Sequence, residues 1–185
     1  MKPIAVLFCH RRSYYKTLPG VDCYDEARDA RTFPGGCPVV AHPPCRMWSR
    51  ARRKNLPTLP DEMALAPWAL EQVRRNGGVL EHPFCSRLWA HCGLPAPGER
   101  DAYGFTVQVD QAWWGHRAEK ATWLYIVGLE PDRLPPVCFP IFRRPVNFNH
   151  LGRAERQLTP PAFARYLAEV ASLARVATCS QASSG

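Results

Sequence analysis

Two short segments carry side chains suited to covalent chemistry on an aromatic ring: His42-Pro43-Pro44-Cys45 and Glu81-His82-Pro83. A cysteine thiolate is a nucleophile, and proline holds φ at about −65°, so a thiol beside a Pro-Pro turn leaves the backbone at a set angle. A carboxylate delivered from a second segment can orient a ring nitrogen. That pair is what alkylation at carbon 5 of a pyrimidine requires. Carbon 5 is too weak a nucleophile alone. A thiolate adding at carbon 6, with a carboxyl group at N3, supplies the missing electron density, and loss of the carbon 5 proton later frees the sulfur. Cys45 and Glu81 are therefore the candidate catalytic pair, with His42 and His82 beside them as candidate proton carriers. A base inside a duplex would first have to leave the stack.

Other readings of these residues stand beside that one. Free cysteine is often a core residue, and a carboxylate can serve as a cap or an ion-pair partner. His42-x-x-Cys45 and His82-x-x-Cys85, with His91-Cys92 nearby, also supply ligand types that suit tetrahedral zinc. A proline after each of the first two histidines fits a tight turn equally well, and no metal is assigned.

The surroundings of Cys45 are basic. Arg46, Arg50, Arg52 and Arg53 are candidate phosphate contacts, and Trp48 among them is a candidate stacking platform for a base. Farther on, Gln111 to Arg117 is both aromatic and polar. Trp114 there is expected to wall a base pocket or to anchor the sheet to the last helix. Lys120 and Thr122 precede a strand and are expected to face the cleft, with Lys120 touching nucleic acid. The whole chain has 24 Lys and Arg against 16 Asp and Glu, a net charge of +8. A field of that sign attracts polyanions, so the expected partner is DNA or a nucleotide.

Bringing two chain-distant turns together takes a sheet. Ile4 to Cys9 is a continuous apolar run, as in a strand covered on both faces. Val21 to Asp25 and Pro38 to Ala41 read as further strands, the latter ending at His42. Asp61-Glu62 opens a helix with acids in its first turn, and Met63, Leu65, Ala66, Leu70 and Val73 form its apolar side. Pro67 kinks that helix or marks its start, and Asn76-Gly77-Gly78 ends it. Val79-Leu80 is then a fourth strand that delivers Glu81. A short helix near Ser86 to Cys92, an edge strand from Phe105 to Val109 and a strand from Ala121 to Val127 follow. The last helix runs from Phe163 to Val176, with Thr159 as its cap.

This order implies an α/β protein: a single Rossmann-like domain over residues 1–178 with a mostly parallel central sheet, and a frayed tail over 179–185. Ligands in such a sheet sit beyond the carboxyl ends of the strands, where both clusters fall. Ser13, Tyr14 and Lys16 lie where a phosphate loop would lie, and Asp22 or Asp25 is placed to hold a ribose. They are the candidate cofactor-binding residues. Hydrophobic residues make up 46% and charged residues 22%, as in an ordinary globular protein. No run approaches the roughly 20 apolar residues of a membrane span. Eight cysteines without a tight framework, and no leader-like opening, suggest free thiols in the cytoplasm.

Val39-Val-Ala-His-Pro-Pro-Cys45, Val79-Leu-Glu-His-Pro83 and Trp114-Gly-His-Arg-Ala-Glu-Lys-Ala-Thr-Trp-Leu124 together resemble phage-encoded DNA cytosine methyltransferase-like proteins. The resemblance covers roughly residues 20 to 130. It implies that Cys45 is the nucleophile, that Glu81 is the carboxylate that recognises the base, and that S-adenosylmethionine is the methyl donor. Three departures accompany it. The turn after the first strand, Cys9 to Lys16, has no glycine; Glu-His-Pro stands where the family has Glu-Asn-Val; and no target-recognition domain is evident. His42 to Cys45 also resembles the Asp/Asn-Pro-Pro-Tyr turn of amino-methyltransferases, with Cys45 in the aromatic place. Two further functions remain: a nucleic-acid-binding protein without catalysis, and a thiol-dependent nucleotide-modifying enzyme that uses another donor.

Overall fold

A computed structural model describes residues 3–50, 57–137, 146–147 and 150–175. Arg52, Arg53 and the expected tail fall outside the described residues. The chain forms strands β1 (Ile4–Leu7), β2 (Val21–Tyr24) and β3 (Val39–Ala41), helix α1 (Pro60–Asn76), strand β4 (Gly78–Pro83) and helix α2 (Arg87–Cys92). Strands β5 (Gly104–Asp110) and β6 (Ala121–Val127) and helices α3 (Arg153–Gln157) and α4 (Pro161–Leu173) follow.

The six strands make one mostly parallel, mixed sheet in the order β2-β1-β3-β4-β6-β5. The first four are parallel, and β6 runs antiparallel to both β4 and β5. Successive side chains alternate between two cores, as a pleat requires. Ala5, Leu7, Val39, Ala41, Leu80 and Tyr125 pack against Ala66, Leu70 and Val73 of α1 and Leu88 of α2. Ile4, Val6, Val40, Val79, Leu124 and Ile126 pack against Phe163, Leu167 and Val170 of α4. Helices thus cover both faces, which is why the strands read as unbroken apolar runs.

The α/β class, the mostly parallel sheet and the edge position of β5 agree with the sequence reading. Three details differ. Pro67 lies within α1 and does not mark its start, one of the two readings given for it; Thr159 is not a cap, because α4 begins at Pro161 with Pro160 before it; and α4 ends at Leu173. Proline can occupy the first helical turn without a capping side chain, since its missing N–H is one that turn leaves unpaired anyway. The five-residue α3 was not foreseen.

Gly78 sets the register that matters most. Its φ is +116°, and a Cβ there would lie 2.0 Å from the Val39 carbonyl oxygen, so β3 and β4 approach closely only because this residue has no side chain. The pairing Ala41↔Leu80 then places the next residue of each strand, His42 and Glu81, side by side. The chain also reverses its direction of travel across the sheet at β1, which has β2 on one side and β3 on the other. In open α/β sheets such a point, beyond the carboxyl ends of the two strands, is where ligands bind.

Candidate active site

Glu81 sits at the centre of a chain of hydrogen bonds that crosses four elements. His42 Nδ1 lies 3.0 Å from Glu81 Oε2, and His42 Nε2 lies 3.0 Å from the Tyr15 hydroxyl. On the other side Gln111 Nε2 donates to Glu81 Oε1 at 3.0 Å and to Thr122 Oγ1 at 3.1 Å. The simplest proton arrangement has Tyr15 donating to His42 Nε2 and His42 Nδ1–H donating to the carboxylate. The Glu81 side chain is only 14% exposed. Burial by itself would raise its pKa, but the bond and charge of His42, with Lys120 and His82, outweigh burial and bring it down to about 2. Glu81 is thus a fixed anion with a donor on each oxygen. It is suited to accept an N–H from a ring and poorly suited to give up a proton.

Cys45 follows Pro44 in the loop after β3 and is exposed. Its carbonyl accepts from the backbone N–H groups of Trp48 and Ser49, at 3.0 and 2.7 Å, so the chain makes one helical turn directly after the thiol. Protein crowding pushes the thiol pKa up, the Glu81 anion adds to that, and the Lys120 ammonium opposes it. Lys120, half-buried just before β6, is pushed down by burial and held up by Glu81 and Cys45. Cys45, Glu81 and Lys120 therefore act on one another electrically at the carboxyl edge of β3 and β4. The sequence reading had Lys120 facing the cleft and touching nucleic acid; its Nζ lies 3.5 Å from the Leu158 carbonyl oxygen.

The other sequence candidates divide. His82 is fully buried, its Nδ1 is 2.7 Å from Ser86 Oγ, and burial lowers its pKa to about 4. It is a neutral core histidine on the opposite face of β4 from Glu81 and takes no part in the site. Trp48 is 2% exposed in the α1-side core, so its ring is not offered to a base. Trp114 packs on Phe163 and Tyr166 of α4, with ring centroids 4.9 and 4.7 Å away, and serves as the anchor to the last helix. Arg46 is paired in fork geometry with Glu62 of α1. Arg50 is exposed and carries no ion pair among the described residues, a condition shared by Arg11, Arg12 and Arg87.

The candidate cofactor residues already have partners within the fold. Ser13 caps the turn Tyr14–Thr17 by accepting from Tyr15 N, and Tyr14 meets Arg165 of α4. Asp22 pairs with Arg28. Asp25 accepts from the backbone N–H groups of Ala27 and Arg28 through Oδ1 and from Lys16 through Oδ2. Each Asp25 oxygen therefore already has a donor where a ribose hydroxyl would need to bind. As they stand these residues do not fit S-adenosylmethionine. Among the described residues, no three His, Cys, Asp or Glu side chains come together as a metal site.

Sequence reasoning missed Tyr15, Gln111 and Phe84. Tyr15 and Gln111 are buried members of the Glu81 relay. Phe84, 44% exposed, stands on a turn closed by Ser86 N to the Pro83 carbonyl, in which Cys85 takes a φ of +54°. Neither Tyr15 nor Gln111 has a spacing that signals contact with Glu81. Phe84 was legible as the aromatic residue after Glu-His-Pro. Comparison of the chain with family models, curated proteins and solved structures gives no match. Nor, among the described residues, is any helix long and apolar enough to cross a membrane.

Proposed function

We propose that this protein modifies a pyrimidine base of DNA or of a nucleotide through covalent attack by Cys45, in the manner of cytosine-C5 methyltransferases. One observation carries the reading: an exposed thiol follows a Pro-Pro turn in the loop after β3, and the neighbouring parallel strand β4 ends in a buried, anchored carboxylate. The ring enters between them. Cys45 sulfur adds at carbon 6, and Glu81 accepts an N–H from the ring edge, which keeps the base from rotating as charge moves through it. Tyr15, His42 and Gln111 act as positioning residues, because they hold the carboxylate and do not reach the ring themselves.

A polyanionic partner is supported by Arg11, Arg12 and Arg50, exposed on the loops after β1 and β3, and by Arg87, exposed at the start of α2. Phosphate contacts from these segments would bring a base to the strand ends, and Phe84, exposed although its ring meets Trp123 edge-on, offers a surface on which a neighbouring base would stack. S-adenosylmethionine is the donor that the sequence resemblance implies. Lys16 and two backbone amides occupy Asp25, and that occupancy favours a thiol-dependent reaction with another donor as the second reading.

The test is mass spectrometry of nucleosides from the DNA of cells that express the protein, beside cells that express Cys45→Ser. A modified pyrimidine is expected with the active chain and none with the variant. An unchanged nucleoside profile with the active chain counts against the reading.

A further inference from the structure

We infer that Cys9 and Cys23 form a second thiol site, which a hydroperoxide converts to a disulfide joining the end of β1 to β2. The inference does not depend on the base-modifying reading. The two thiols meet because the ladder between β1 and β2 slips by one residue. In a parallel ladder every second N–H of a strand bonds the same neighbour. Ile4 N donates to the Gly20 carbonyl at 3.1 Å, so an unbroken ladder would put Phe8 N on the Tyr24 carbonyl. Cys9 N makes that bond instead, at 3.0 Å. Phe8 is the extra residue: its φ is +60°, a value side chains rarely adopt, and its ring turns to the α1 side against Trp68. Cys9 therefore takes the face of Ile4 and Val6, in the α4-side core, where Cys23 of the neighbouring strand also packs. Without the slip, strict alternation would turn Cys9 to the opposite face.

The side chains of Cys9 and Cys23 hydrogen-bond to each other. Cys9 is 5% exposed and Cys23 is half-buried, so Cys23 is the thiol that a small oxidant reaches first. Its surroundings favour the same order. The bond from Cys9 holds the Cys23 thiol below its ordinary value against the effect of burial, and the Lys16 ammonium, paired with Asp25, adds to that. The same bond, with burial, pushes Cys9 up, so Cys9 keeps its proton. A partly exposed thiolate beside a cation, with a second thiol in contact, is the setting in which a cysteine is oxidised reversibly.

The reaction has two steps. The Cys23 thiolate attacks one oxygen of the hydroperoxide, the O–O bond breaks, and the departing oxygen takes a proton from solvent. Cys23 is then a sulfenic acid. The Cys9 sulfur attacks the Cys23 sulfur, the S–O bond breaks, and the hydroxide leaves as water with the Cys9 proton. Each sulfur gives up one electron, and the hydroperoxide takes both.

Hydrogen peroxide titrated onto the reduced full chain tests this, with an acid quench, N-ethylmaleimide labelling and peptide mass spectrometry. Cys9 and Cys23 are expected to lose their maleimide label together, and a peptide linking them is expected, lighter by two hydrogens than its halves and split again by dithiothreitol. The same link is expected in Cys45→Ser, which removes the exposed thiol that could pass a disulfide inward. Cys9→Ser takes away the second thiol, so Cys23 is expected to persist as a sulfenic acid that dimedone captures. If Cys9→Ser does not fold, the parent and Cys45→Ser decide the matter alone. Full labelling of Cys9 and Cys23 up to the dose at which methionine oxidation begins overturns the inference. So does a link that forms only when Cys45 is present, or a Cys23 that dimedone fails to capture in folded Cys9→Ser.

Discussion

At the scale of single residues, burial and hydrogen bonding pull Glu81 in opposite directions, and its neighbours decide the outcome. A carboxylate with this little exposure is costly unless each oxygen has a donor. His42 meets Oε2 and Gln111 meets Oε1. Gln111→Leu keeps approximate volume and removes the second donor, leaving the anion under-satisfied in a site with little water. The expected loss is about 1–3 kcal/mol of unfolding free energy, read from the urea midpoint. Any base-modifying activity should fall with it, because the carboxylate loses its orientation. A urea midpoint equal to the parent's would mean that the Glu81 charge needs no help from this side. The candidate pair, Cys45 and Glu81, stands out in the sequence because thiol, carboxylate and prolines are rare together. The relay does not. Tyr15 lies between two residues that were read as phosphate contacts, and Gln111 sits beside two tryptophans that drew attention to stacking; only the sheet brings both to Glu81.

At the scale of elements, the site depends on the spacing of β3 and β4. Gly78→Ala would place a methyl group 2.0 Å from the Val39 carbonyl oxygen and 2.6 Å from its nitrogen, at a φ that side chains avoid. The strands must move apart or slip, and either response separates His42 from Glu81. The expected cost is about 3 kcal/mol or more, a fall of roughly 6–12 °C in melting temperature for a chain of this size. Gly36→Ala is the matched comparison. Its φ is also positive, at +88°, but nothing lies within 4 Å of the added carbon, so only the backbone cost of about 1–2 kcal/mol is expected. Equal losses in the two variants would mean that the β3–β4 approach is not what Gly78 provides. In the sequence Gly77-Gly78 read as a helix stop, which it is. Its second duty, the register between β3 and β4, depends on a partner 39 residues earlier that no local pattern reveals. Strand runs such as Ile4 to Leu7 and Ala121 to Val127 were legible because both faces are covered by helices, whereas α3 is only five residues long and the true start of α4 carries no capping side chain that marks it.

At the scale of the whole molecule, two buried groups on opposite faces of β4 make stability a function of acidity. His82 has a folded pKa of about 4, below its ordinary value of 6.5, because burial disfavours the cation. Below pH 6.5 the unfolded chain therefore binds a proton that the folded chain refuses, and stability falls as pH drops from 6.5 to about 4. Glu81 has a folded pKa of about 2 against an ordinary 4.5, so its contribution is complete above pH 4.5 and is lost as pH falls toward 2. The two windows nearly abut, and each accounts for about 3 kcal/mol. Urea denaturation at a series of pH values should show a plateau above pH 6.5 and a continuous decline beneath it. His82→Gln removes the first window. The variant is less stable at neutral pH, because Ser86 loses its partner, but its unfolding free energy stays level from pH 6.5 to 4.5 and declines only below. If His82→Gln loses stability over pH 6.5 to 4.5 as steeply as the parent, the proton taken up on unfolding belongs to another group, and His82 is not the neutral core residue that its contact with Ser86 and complete burial make it.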